Sequence, residues 1–328
     1  MMNCLGRYLR LTTFGESHGT AVGGVMDGCP AGLRIDTGQV AAALKRRRSG
    51  DVKQESVTKR QEPDEVEWLS GLMEGVTTGQ PIGFVLRNRD VRSEDYEALR
   101  DVCRPGHADF TYLHRYGMRD WRGGGRASGR ETAARVVAGA VARQLCEKMW
   151  QGFKVSTCAD EEHCVVCTVE GVPAGVGSPL FDKVNARLAH AMMSIPSAIG
   201  FEMGAGFAGA TWDAATWRDE WNEDGTTRSN HCGGVQGGIS NGMPIVFRTA
   251  FHAPVTTLEH MVCLNTREGR LQPVCTGGRH DSDHIGRLPS VVEAMACWTL
   301  ADLGMEKFNG GGMGPMGRMG PMGPISPI

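Results

Sequence analysis

Two different spacings of apolar residues divide the chain into predicted strands and helices. Leu9 and Leu11 alternate with polar residues just before Gly15, and this two-residue period predicts a strand that runs into a turn. The same alternation predicts three further strands, around residues 165–169, 199–203 and 245–247. Predicted strands therefore occur from the start of the chain to its last third.

A spacing of three to four residues predicts four helices. The strongest of these predictions covers residues 128–149, where Ala133, Val136, Val137, Ala140, Val141 and Leu145 repeat at helical spacing. Asp36 or Thr37 is expected to cap an earlier helix that extends through Arg48. Two more amphipathic helices are predicted, over residues 181–192 and 290–303, whereas the charged run 87–104 is expected to form a surface loop.

The order of these elements favours an α+β fold. Strands and helices are mixed without the regular spacing of βαβ units, so a doubly wound parallel sheet is not expected. No segment has the composition of a linker, and residues 1–308 are therefore interpreted as a single large domain. From Gly310 onward glycine recurs at every third residue with Pro and Met between, and residues 309–328 are predicted to be a disordered tail outside the fold.

Charge and composition narrow the classes of partner. The formal net charge is −2 with neutral histidine, so general binding of nucleic acid is not expected. Arginine is nevertheless clustered at residues 46–48 and within 119–130, which suggests a small anionic ligand, although a solvated charged face is the alternative. Glycine is frequent, with 46 residues, and clusters such as 123–125 would let backbone amides approach an anion closely.

The N-terminal sequence and the cysteines indicate a cytoplasmic protein. Residues 1–11 contain Arg7 and Arg10 and lack the apolar core of a signal peptide. No window has enough consecutive apolar residues to span a bilayer, so no membrane association is expected. The 11 cysteines are odd in number and scattered, which is typical of thiols that stay reduced.

Three short motifs suggest other chemistry, and each has a simpler explanation. Residues 204–209 fit a dinucleotide-binding fingerprint, with Asp224 at a plausible distance, but no convincing helix follows and a glycine-rich turn is the simpler interpretation. Cys164 and Cys167 form a CxxC pair, but in an alternating strand they would face opposite sides. Segment 280–284 carries four potential metal ligands, but acid–base chemistry is preferred there and no metal site is predicted.

Four segments place His, Ser, Asp or Arg beside glycine in expected loops, where functional groups are concentrated. They are Phe14-Gly15-Glu16-Ser17-His18-Gly19, Arg104-Pro105-Gly106-His107-Ala108-Asp109, the stretch from Arg122 to Thr132, and Gly278-Arg279-His280-Asp281. A single histidine in a glycine-rich turn is more often structural. Two such histidines, an aspartate and the intervening Arg–Gly clusters favour a functional site instead.

These segments resemble the chorismate synthase family. The resemblance extends to Arg46-Arg47-Arg48-Ser49-Gly50, Glu62-Pro63-Asp64-Glu65-Val66, Leu69-Ser70-Gly71, Ser194-Ile195-Pro196 and the stretch from Asn230 to Ser240. It spans residues 6–303, which is nearly the whole chain without the tail. It implies a β-α-β sandwich, a homotetramer, and a lyase of the shikimate pathway. That lyase uses reduced FMN to eliminate phosphate from 5-enolpyruvylshikimate 3-phosphate and so forms chorismate.

The resemblance also implies catalytic roles for four residues. His18, with Ser17 beside it, matches the residue that donates a proton to the leaving phosphate. His107 matches the residue thought to keep the reduced flavin in one protonation state, a task that suits imidazole near neutral pH. Asp281 matches the carboxylate that helps to remove the C6 proton of the substrate.

Ligand binding is expected to depend on several guanidinium groups. The substrate carries two carboxylates and a phosphate, and FMN carries a further phosphate, and Arg side chains bind such groups bidentately. The candidates on the substrate side are Arg46, Arg47, Arg122, Arg130 and Arg287. By the resemblance, the flavin side includes Arg126, Ala127, Ser128, Pro196, Ser197, Gly237, His252, Ala253, Pro254, Val255, Thr256 and Arg279. Arg47 and Lys53 match family residues associated with NADPH, a candidate reductant.

The match departs from the family pattern near the expected flavin loop. Many members have Lys-Pro-Thr where this chain has the loop that begins at His252, and a lysine is usual where this chain has Ile199. Asp283-His284 stands where Pro-Cys is commoner. These departures concern how the FMN phosphate is held rather than the reaction.

Two alternatives remain open from the sequence. A nicotinamide oxidoreductase would require a βαβ unit at residues 204–209. A homologue that binds flavin or phosphate without catalysis would not be expected to retain His18, His107 and Asp281 together. The sequence leaves open whether the protein reduces its own flavin. Members that do so are often longer, so an outside supply of reduced FMN is expected.

Overall fold

The computed structural model of the chain describes residues 3–49, 62–91, 93–255, 260–275 and 284–309. In this part of the chain the strands, β1 to β16, are Cys4–Leu5, Arg10–Phe14, Ala21–Asp27, Val66–Trp68, Leu72–Met73, Val76–Thr77, Ile82–Arg87, Val102–Cys103, Lys154–Ala159, Cys164–Glu170, Ala198–Met203, Val235–Gln236, Ile239–Ser240, Ile245–Phe251, His260–Asn265 and Arg270–Cys275. The α-helices, α1 to α6, are Thr37–Ser49, Asp109–Tyr116, Thr132–Met149, Val184–Met193, Ala214–Trp217 and Leu288–Asn309. Short 3-10 helices cover Ser93–Leu99, Gly125–Ala127, Gly129–Glu131, Gly206–Thr211 and Ile285–Arg287.

The strands form two larger antiparallel sheets and three smaller ones. The first large sheet has the order β1-β2-β3-β7-β4, and the second has the order β11-β14-β10-β9. Strands β16-β15-β8 form a third sheet, and β12-β13 and β5-β6 are two-stranded hairpins. None of the helices in the described ranges is both long enough and apolar enough to cross a bilayer.

Helices α3 and α6 form the layer between the two large sheets. Helix α3 packs on β2, β3 and β7 of the first sheet, whereas α6 packs on β9 and β10 of the second and on α4. One apolar core runs through all three layers, from Phe84 in the first sheet through Trp298 in α6 to Phe247 in the second. This arrangement is a β-α-β sandwich of mixed strands and helices, and it confirms the predicted α+β class.

The crossing of α3 and α6 is unusually close. A Cβ atom placed on Gly139 of α3 would lie 2.3 Å from the Cα of Ala294 in α6. Real Cβ atoms do not approach other atoms so closely, so the two helices can cross at this point only because residue 139 has no side chain. The three-layer packing therefore depends on a single glycine at its centre.

A buried carboxylate joins the N-terminal segment to α6. Asp302 Oδ1 accepts hydrogen bonds from the backbone N–H groups of Arg7, Tyr8 and Leu9 at 2.7–2.9 Å. Its Oδ2 accepts from Arg187 Nη2 at 2.6 Å, and the Asp302 side chain is almost completely buried. These bonds satisfy backbone donors that would otherwise be buried without partners and hold the start of the first sheet against α6.

Most predicted elements agree with the structure, and the differences have identifiable causes. Asp36 caps α1 as predicted, accepting from the backbone N–H of Gly38 at 2.8 Å. The predicted surface loop over residues 87–104 was wrong in part, because it contains a 3-10 helix and β8. Leu99 and Val102 are buried there against Cys263 of β15. The predicted tail began at residue 309, but α6 extends through Asn309, and the rest of that tail, residues 310–328, lies outside the described residues.

The glycine-rich stretch at residues 204–209 is a turn, as its simpler interpretation predicted. The Gly204 N–H donates to the Val246 carbonyl, and a 3-10 helix over Gly206–Thr211 follows, so the βαβ unit required by a dinucleotide fingerprint is not present there. The oxidoreductase alternative therefore has no structural basis in this stretch.

All eleven cysteines lie in the described residues, and none is in a disulfide. Cys167 is buried in β10, and burial raises the pKa of its thiol well above the usual value. Burial likewise raises the pKa of Cys29 to about 12. No cluster of three or more potential metal ligands occurs among the described residues.

Replacing Gly139 by alanine is expected to destabilise the fold. The added methyl group would meet the backbone of Ala294, and overpacking of this kind costs about 1–3 kcal/mol, even after the higher helix propensity of alanine is counted. The free energy of unfolding, measured by urea titration with tryptophan fluorescence, is the readout. Gly129→Ala is the matched control, because nothing lies within 4 Å of a Cβ there. Equal stability of the two variants would contradict the close crossing.

Candidate active site

The motif residues meet at one cavity of about 1410 Å³. Its wall is formed by the exit of β2, the loop 104–109, the glycine-rich loop 118–129, the turn before β11, the exit of β14 and the start of α6. These segments are far apart in the sequence. The packing of α3 and α6 brings them together, because α3 follows the glycine-rich loop directly and α6 begins at the cavity wall.

Ser17 and His18 lie directly behind the glycine-rich loop. Ser17 is buried, its backbone N–H donates to the Gly125 carbonyl, and its Oγ lies 3.1 Å from His18 Nδ1. The rings of His18 and Tyr96 form a T-shaped contact, with a centroid distance of 4.9 Å. A Cβ on Gly123, which lines the cavity, would lie 2.7 Å from the His18 ring. Glycine at this position, with a φ of 74°, therefore lets the imidazole approach the cavity wall.

His107 lines the cavity on the loop before α2. Its Nδ1 lies 3.0 Å from the Pro105 carbonyl oxygen, which can only accept a hydrogen bond. Nδ1 therefore carries a proton in this geometry, so in the neutral ring Nε2 is the acceptor.

Three buried charges fix the loop that carries His107. Arg104 donates to Asp109 through Nε at 2.8 Å and through Nη2 at 3.1 Å, and Arg119 Nη1 donates to the same carboxylate at 3.3 Å. Arg104 Nη2 also donates to the Gly123 carbonyl at 3.2 Å. Burial acts to raise the pKa of Asp109, but the bonds from Arg104 outweigh burial and hold this pKa below its usual value. The carboxylate thus stays ionised and connects the His107 loop to the glycine that contacts His18.

Arg122 and Arg126 lie on the cavity wall with different partners. Arg122 forms a bidentate pair with Asp120, at 2.8 and 3.0 Å, and its side chain is 42% exposed. Arg126 Nη2 donates to Thr13 Oγ1 at 2.7 Å, and Nη1 donates to the Gly15 carbonyl at 3.3 Å. Arg122 is therefore accessible to a ligand, whereas Arg126 also fixes the exit of β2.

A second buried cluster contains Arg47, Arg130 and Asp64. Arg130 donates to Asp64 through Nη1 and to Asn88 Oδ1 through Nε at 2.9 Å, while its buried Nη2 has no hydrogen-bond partner among the described residues. Arg47 Nε donates to Thr132 Oγ1 at 2.9 Å, and its Nη1 lies 3.7 Å from Asp64 Oδ2. Burial is the main cause that lowers the pKa of Arg47 to about 10. Arg47 therefore remains charged at neutral pH and lines the cavity.

Three polar side chains meet where the strands of the second sheet reach the cavity. Ser197, with a φ of 69°, precedes β11, and its carbonyl accepts from the His252 N–H at 3.0 Å. Ser197 Oγ lies 2.9 Å from Nε2 of His284, which precedes α6. The rings of His252 and His284 are 6.5 Å apart between centroids. All three residues line the cavity.

The structure brings most of the predicted site residues to the cavity. Those that line it are His107, Arg47, Arg122, Arg126, Ala127, Ser128, Pro196, Ser197, His252, Pro254, Val255 and Arg287. Ser17, His18 and Arg130 lie behind this wall, and Ala253 lies within the His252 loop. The remaining predicted residues that lie outside the described part of the chain are Lys53, Thr256, Arg279 and Asp281.

Two predicted residues are placed elsewhere. Arg46 forms a bidentate ion pair with Glu293 of α6, with both bonds at 2.9 Å, and is not among the residues of the cavity wall. Gly237 is exposed in the turn between β12 and β13 and is likewise absent from that wall. Neither residue contacts the cavity within this single chain.

Sequence reasoning missed several residues of the wall. Tyr96, Tyr112 and Asp120 line the cavity, but no motif singled them out, and Arg119 was noted only as part of the arginine cluster at 119–130. A usable signal existed for Arg104 and Asp109, because both belong to the segment that carries His107. No local pattern predicted that the side chains of Arg104 and Asp109 form an ion pair.

Comparisons with known proteins agree with this arrangement. A family model described as chorismate synthase matches residues 9–161 and 163–305. The chorismate synthase of Christiangramia forsetii is 42% identical over 344 aligned positions, covering 92% of this chain and 96% of that protein. The chorismate synthase of Nitratidesulfovibrio vulgaris is also 42% identical, with 92% and 97% of the two chains covered.

A solved structure has the same fold. It is a crystal structure of chorismate synthase, with a TM-score of 0.68 and 27% sequence identity, and the match covers 92% of this chain and 93% of that chain. This chain belongs to the chorismate synthase family, because the family model matches nearly all of it and the relatives align with 92% of its length.

Proposed function

We propose that this protein converts 5-enolpyruvylshikimate 3-phosphate into chorismate by a trans-1,4 elimination of the 3-phosphate and a C6 hydrogen, with reduced FMN as its cofactor. Membership of the chorismate synthase family, whose members are lyases of the shikimate pathway, supports the reaction. The observation that carries the assignment of the site is the convergence of the His18, His107 and Arg122–Arg126 segments on one cavity.

The cavity is proposed to hold two anionic ligands together. Pockets for one small ligand usually measure roughly 300–1,000 Å³, so a volume of about 1410 Å³ leaves room for a flavin together with a substrate. Among the described residues, six arginines line it, namely Arg47, Arg104, Arg119, Arg122, Arg126 and Arg287, and Arg104 and Arg119 are paired with Asp109. Because Gly123 has no side chain, a planar ligand can approach the backbone and the imidazole behind it. Charge, volume and open backbone all suit a phosphorylated flavin and a phosphorylated dicarboxylate.

His18 is proposed to protonate the departing phosphate. A leaving phosphate gains negative charge, and an imidazolium beside it both stabilises that charge and supplies a proton. Ser17, with its Oγ 3.1 Å from His18 Nδ1, holds the ring in orientation, and the edge contact with Tyr96 restricts its rotation. Reduced flavin, when bound, supplies electron density transiently as phosphate leaves, with no net oxidation or reduction.

His107 and Asp281 are proposed to manage protons on the flavin side. His107 keeps Nδ1–H on the Pro105 carbonyl, so its Nε2 is the atom through which it exchanges a proton with a ligand in the cavity. Asp281 is proposed, by its match to the family motif, to help remove the C6 proton.

The arginines are proposed to divide between the two ligands. Arg122, Arg47 and Arg287 supply charge to the substrate, and Arg126 with Ser128 supports the flavin. Arg130 acts on the same wall through Asp64, which also lies beside Arg47. Arg46, paired with Glu293 away from the wall, is proposed to reach a ligand only if that ion pair opens.

Three broader proposals accompany this function. The protein is proposed to depend on an outside supply of reduced FMN. The alternative is that it reduces FMN itself with NADPH, bound through Arg47 and Lys53.

A homotetramer in the cytoplasm is proposed from the family resemblance. Exposed apolar side chains support self-association, since Phe181 is 92% and Phe207 is 78% exposed in the single chain.

The direct test is anaerobic turnover of 5-enolpyruvylshikimate 3-phosphate with FMN and dithionite. Chorismate absorbance and released phosphate are followed together, and one phosphate per chorismate is expected, only when the flavin is reduced. Replacing dithionite by NADPH separates self-reduction from an outside supply. Folded protein that binds flavin but forms no chorismate would instead identify a non-catalytic homologue.

Removal of either proposed catalytic histidine is expected to abolish most turnover. His18→Ala and His107→Ala should each lower kcat by about 10²–10⁴, the usual contribution of general acid–base catalysis. His190→Ala is the control, because His190 is exposed on α4 and does not line the cavity. Full activity of either active-site variant in the dithionite assay would remove that histidine from the mechanism.

Asp109 is expected to act as a positioning residue. Asp109→Asn leaves Arg104 and Arg119 buried without a full counter-charge, which should cost about 3–5 kcal/mol of unfolding free energy. Because the same carboxylate connects the loops of His107 and His18, kcat per folded molecule should fall by about 10²-fold, with a smaller change in KM. Asp27→Asn removes a comparable but exposed pair with Arg10 and should change neither quantity much. A loss of stability without any loss of kcat would assign Asp109 to folding alone.

A further inference from the structure

Asn88 is the first residue after β7, and its side chain spans the turn that carries Ser17 and His18. Asn88 Nδ2 donates to the Gly19 carbonyl at 2.8 Å and to the Glu16 carbonyl at 3.1 Å. These two carbonyls lie on either side of Ser17 and His18 in the sequence. One amide group therefore holds both ends of the turn in which the proposed proton donor lies.

The backbone of Asn88 connects the same turn to the first sheet. Ala21 of β3 lies opposite Arg87, the last residue of β7. The Asn88 N–H then donates to the Thr20 carbonyl at 3.0 Å, which continues this pairing by one residue. The side chain and backbone of Asn88 together contact three carbonyls of the turn, so the turn cannot shift without breaking bonds to this residue.

The oxygen of the same side chain faces a buried arginine. Asn88 Oδ1 accepts from Arg130 Nε at 2.9 Å, and the Arg130 side chain is 5% exposed. Backbone carbonyls can only accept and a guanidinium can only donate, so these partners determine the orientation of the Asn88 amide. Because Arg130 lies in the 3-10 helix that leads into α3, Asn88 connects the turn of His18 to the start of that helix.

A residue in a strained conformation supports Arg130 from its other side. Arg130 Nη1 donates to Asp64, whose side chain is buried and whose φ of 51° lies in the left-handed region that non-glycine residues rarely adopt. Glu62, two residues earlier, accepts from the backbone N–H groups of the two residues that follow Asn88, at 2.8 and 3.2 Å. This short segment therefore holds both the chain after Asn88 and the arginine that contacts its side chain.

We propose that Asn88 is a positioning residue for His18. This inference rests on the proposed function, because it takes His18 as the group that protonates the leaving phosphate. Asn88 is not among the described residues that line the cavity, so it acts on the reaction through the turn rather than by contact with a ligand. Proton transfer requires the imidazole within hydrogen-bond reach of the phosphate oxygen, and a displacement of about 1 Å can cost about 10²-fold in rate. Holding the turn at both ends keeps the ring at that distance.

The test uses Asn88→Asp, which keeps an acceptor for Arg130 and replaces the two N–H donors by an oxygen that repels the carbonyls of the turn. In the anaerobic assay with dithionite, kcat per folded molecule should fall by about 10²-fold, whereas KM for the substrate should change by less than about threefold. Asn88→Ser, which is too short to span the turn and adds no charge, should separate kcat from KM in the same way.

Asn265→Asp is the matched control. Asn265 is buried and bridges the turn between β15 and β16, where its Oδ1 accepts from two backbone N–H groups and its Nδ2 donates to Gln272. It is not part of the cavity wall that the structure describes, so this variant should leave kcat unchanged.

A double variant distinguishes positioning of His18 from general support of the cavity. Once His18 is removed, Asn88 has no proton donor to position, so adding Asn88→Asp to His18→Ala should lower kcat by less than about twofold. An equal loss of kcat in both backgrounds, or an unchanged kcat in folded Asn88→Asp and Asn88→Ser, would overturn this inference while the parent protein still forms chorismate. If the parent protein forms no chorismate, the proposed function fails and this inference fails with it.

Discussion

The close crossing of α3 and α6 is the constraint on which the rest of the structure depends. Because Gly139 has no side chain, the two helices share one layer, and each large sheet can pack on its own side of that layer. Both helices also begin at the cavity, because Thr132, the first residue of α3, and Leu288, the first residue of α6, line it. The separation of two walls of the cavity is therefore determined by interior packing, which deforms little, rather than by the conformation of loops.

Buried carboxylates also determine which arginines are free to contact a ligand, because an arginine held in a buried ion pair already donates to a carboxylate. Asp64 and Asp109 each lie beside two guanidinium groups, so positive charge is retained in places where desolvation would otherwise oppose it. Arginines held in this way orient loops and contribute potential. Arg122 lies on the wall itself and is 42% exposed, so its guanidinium is accessible from the cavity although it is paired with Asp120. One residue type thus occurs both in buried ion pairs that support the wall and, at Arg122, as an accessible cation on it.

Much of the fold and part of the site could be predicted from sequence. Features that depend on residues close in sequence were predicted, whereas features that depend on contacts between distant residues were not. Helix α3 and strand β10 have strong local periodicity, and both were predicted. The segment over residues 93–103 looked like a charged loop because its burial comes from β15, more than 150 residues later. The ion pair of Arg46 with Glu293 likewise spans most of the chain, so no spacing rule could separate Arg46 from arginines that face the cavity. The histidine motifs were recognisable because each is contiguous, whereas the connection between them through Asp109 is not.

All the cysteines are free thiols, and this matters under the strongly reducing conditions that keep a flavin reduced. No disulfide supports this fold, so a strong reductant needed to keep a flavin reduced leaves the scaffold intact. No cysteine is among the residues that the structure places around the cavity, and burial raises the pKa of thiols such as Cys146 and Cys297. Side reactions of a bound ligand with protein sulfur are thereby avoided. Alkylating labels are directed to the exposed Cys158 and Cys275, where a spectroscopic probe can be attached away from the cavity wall.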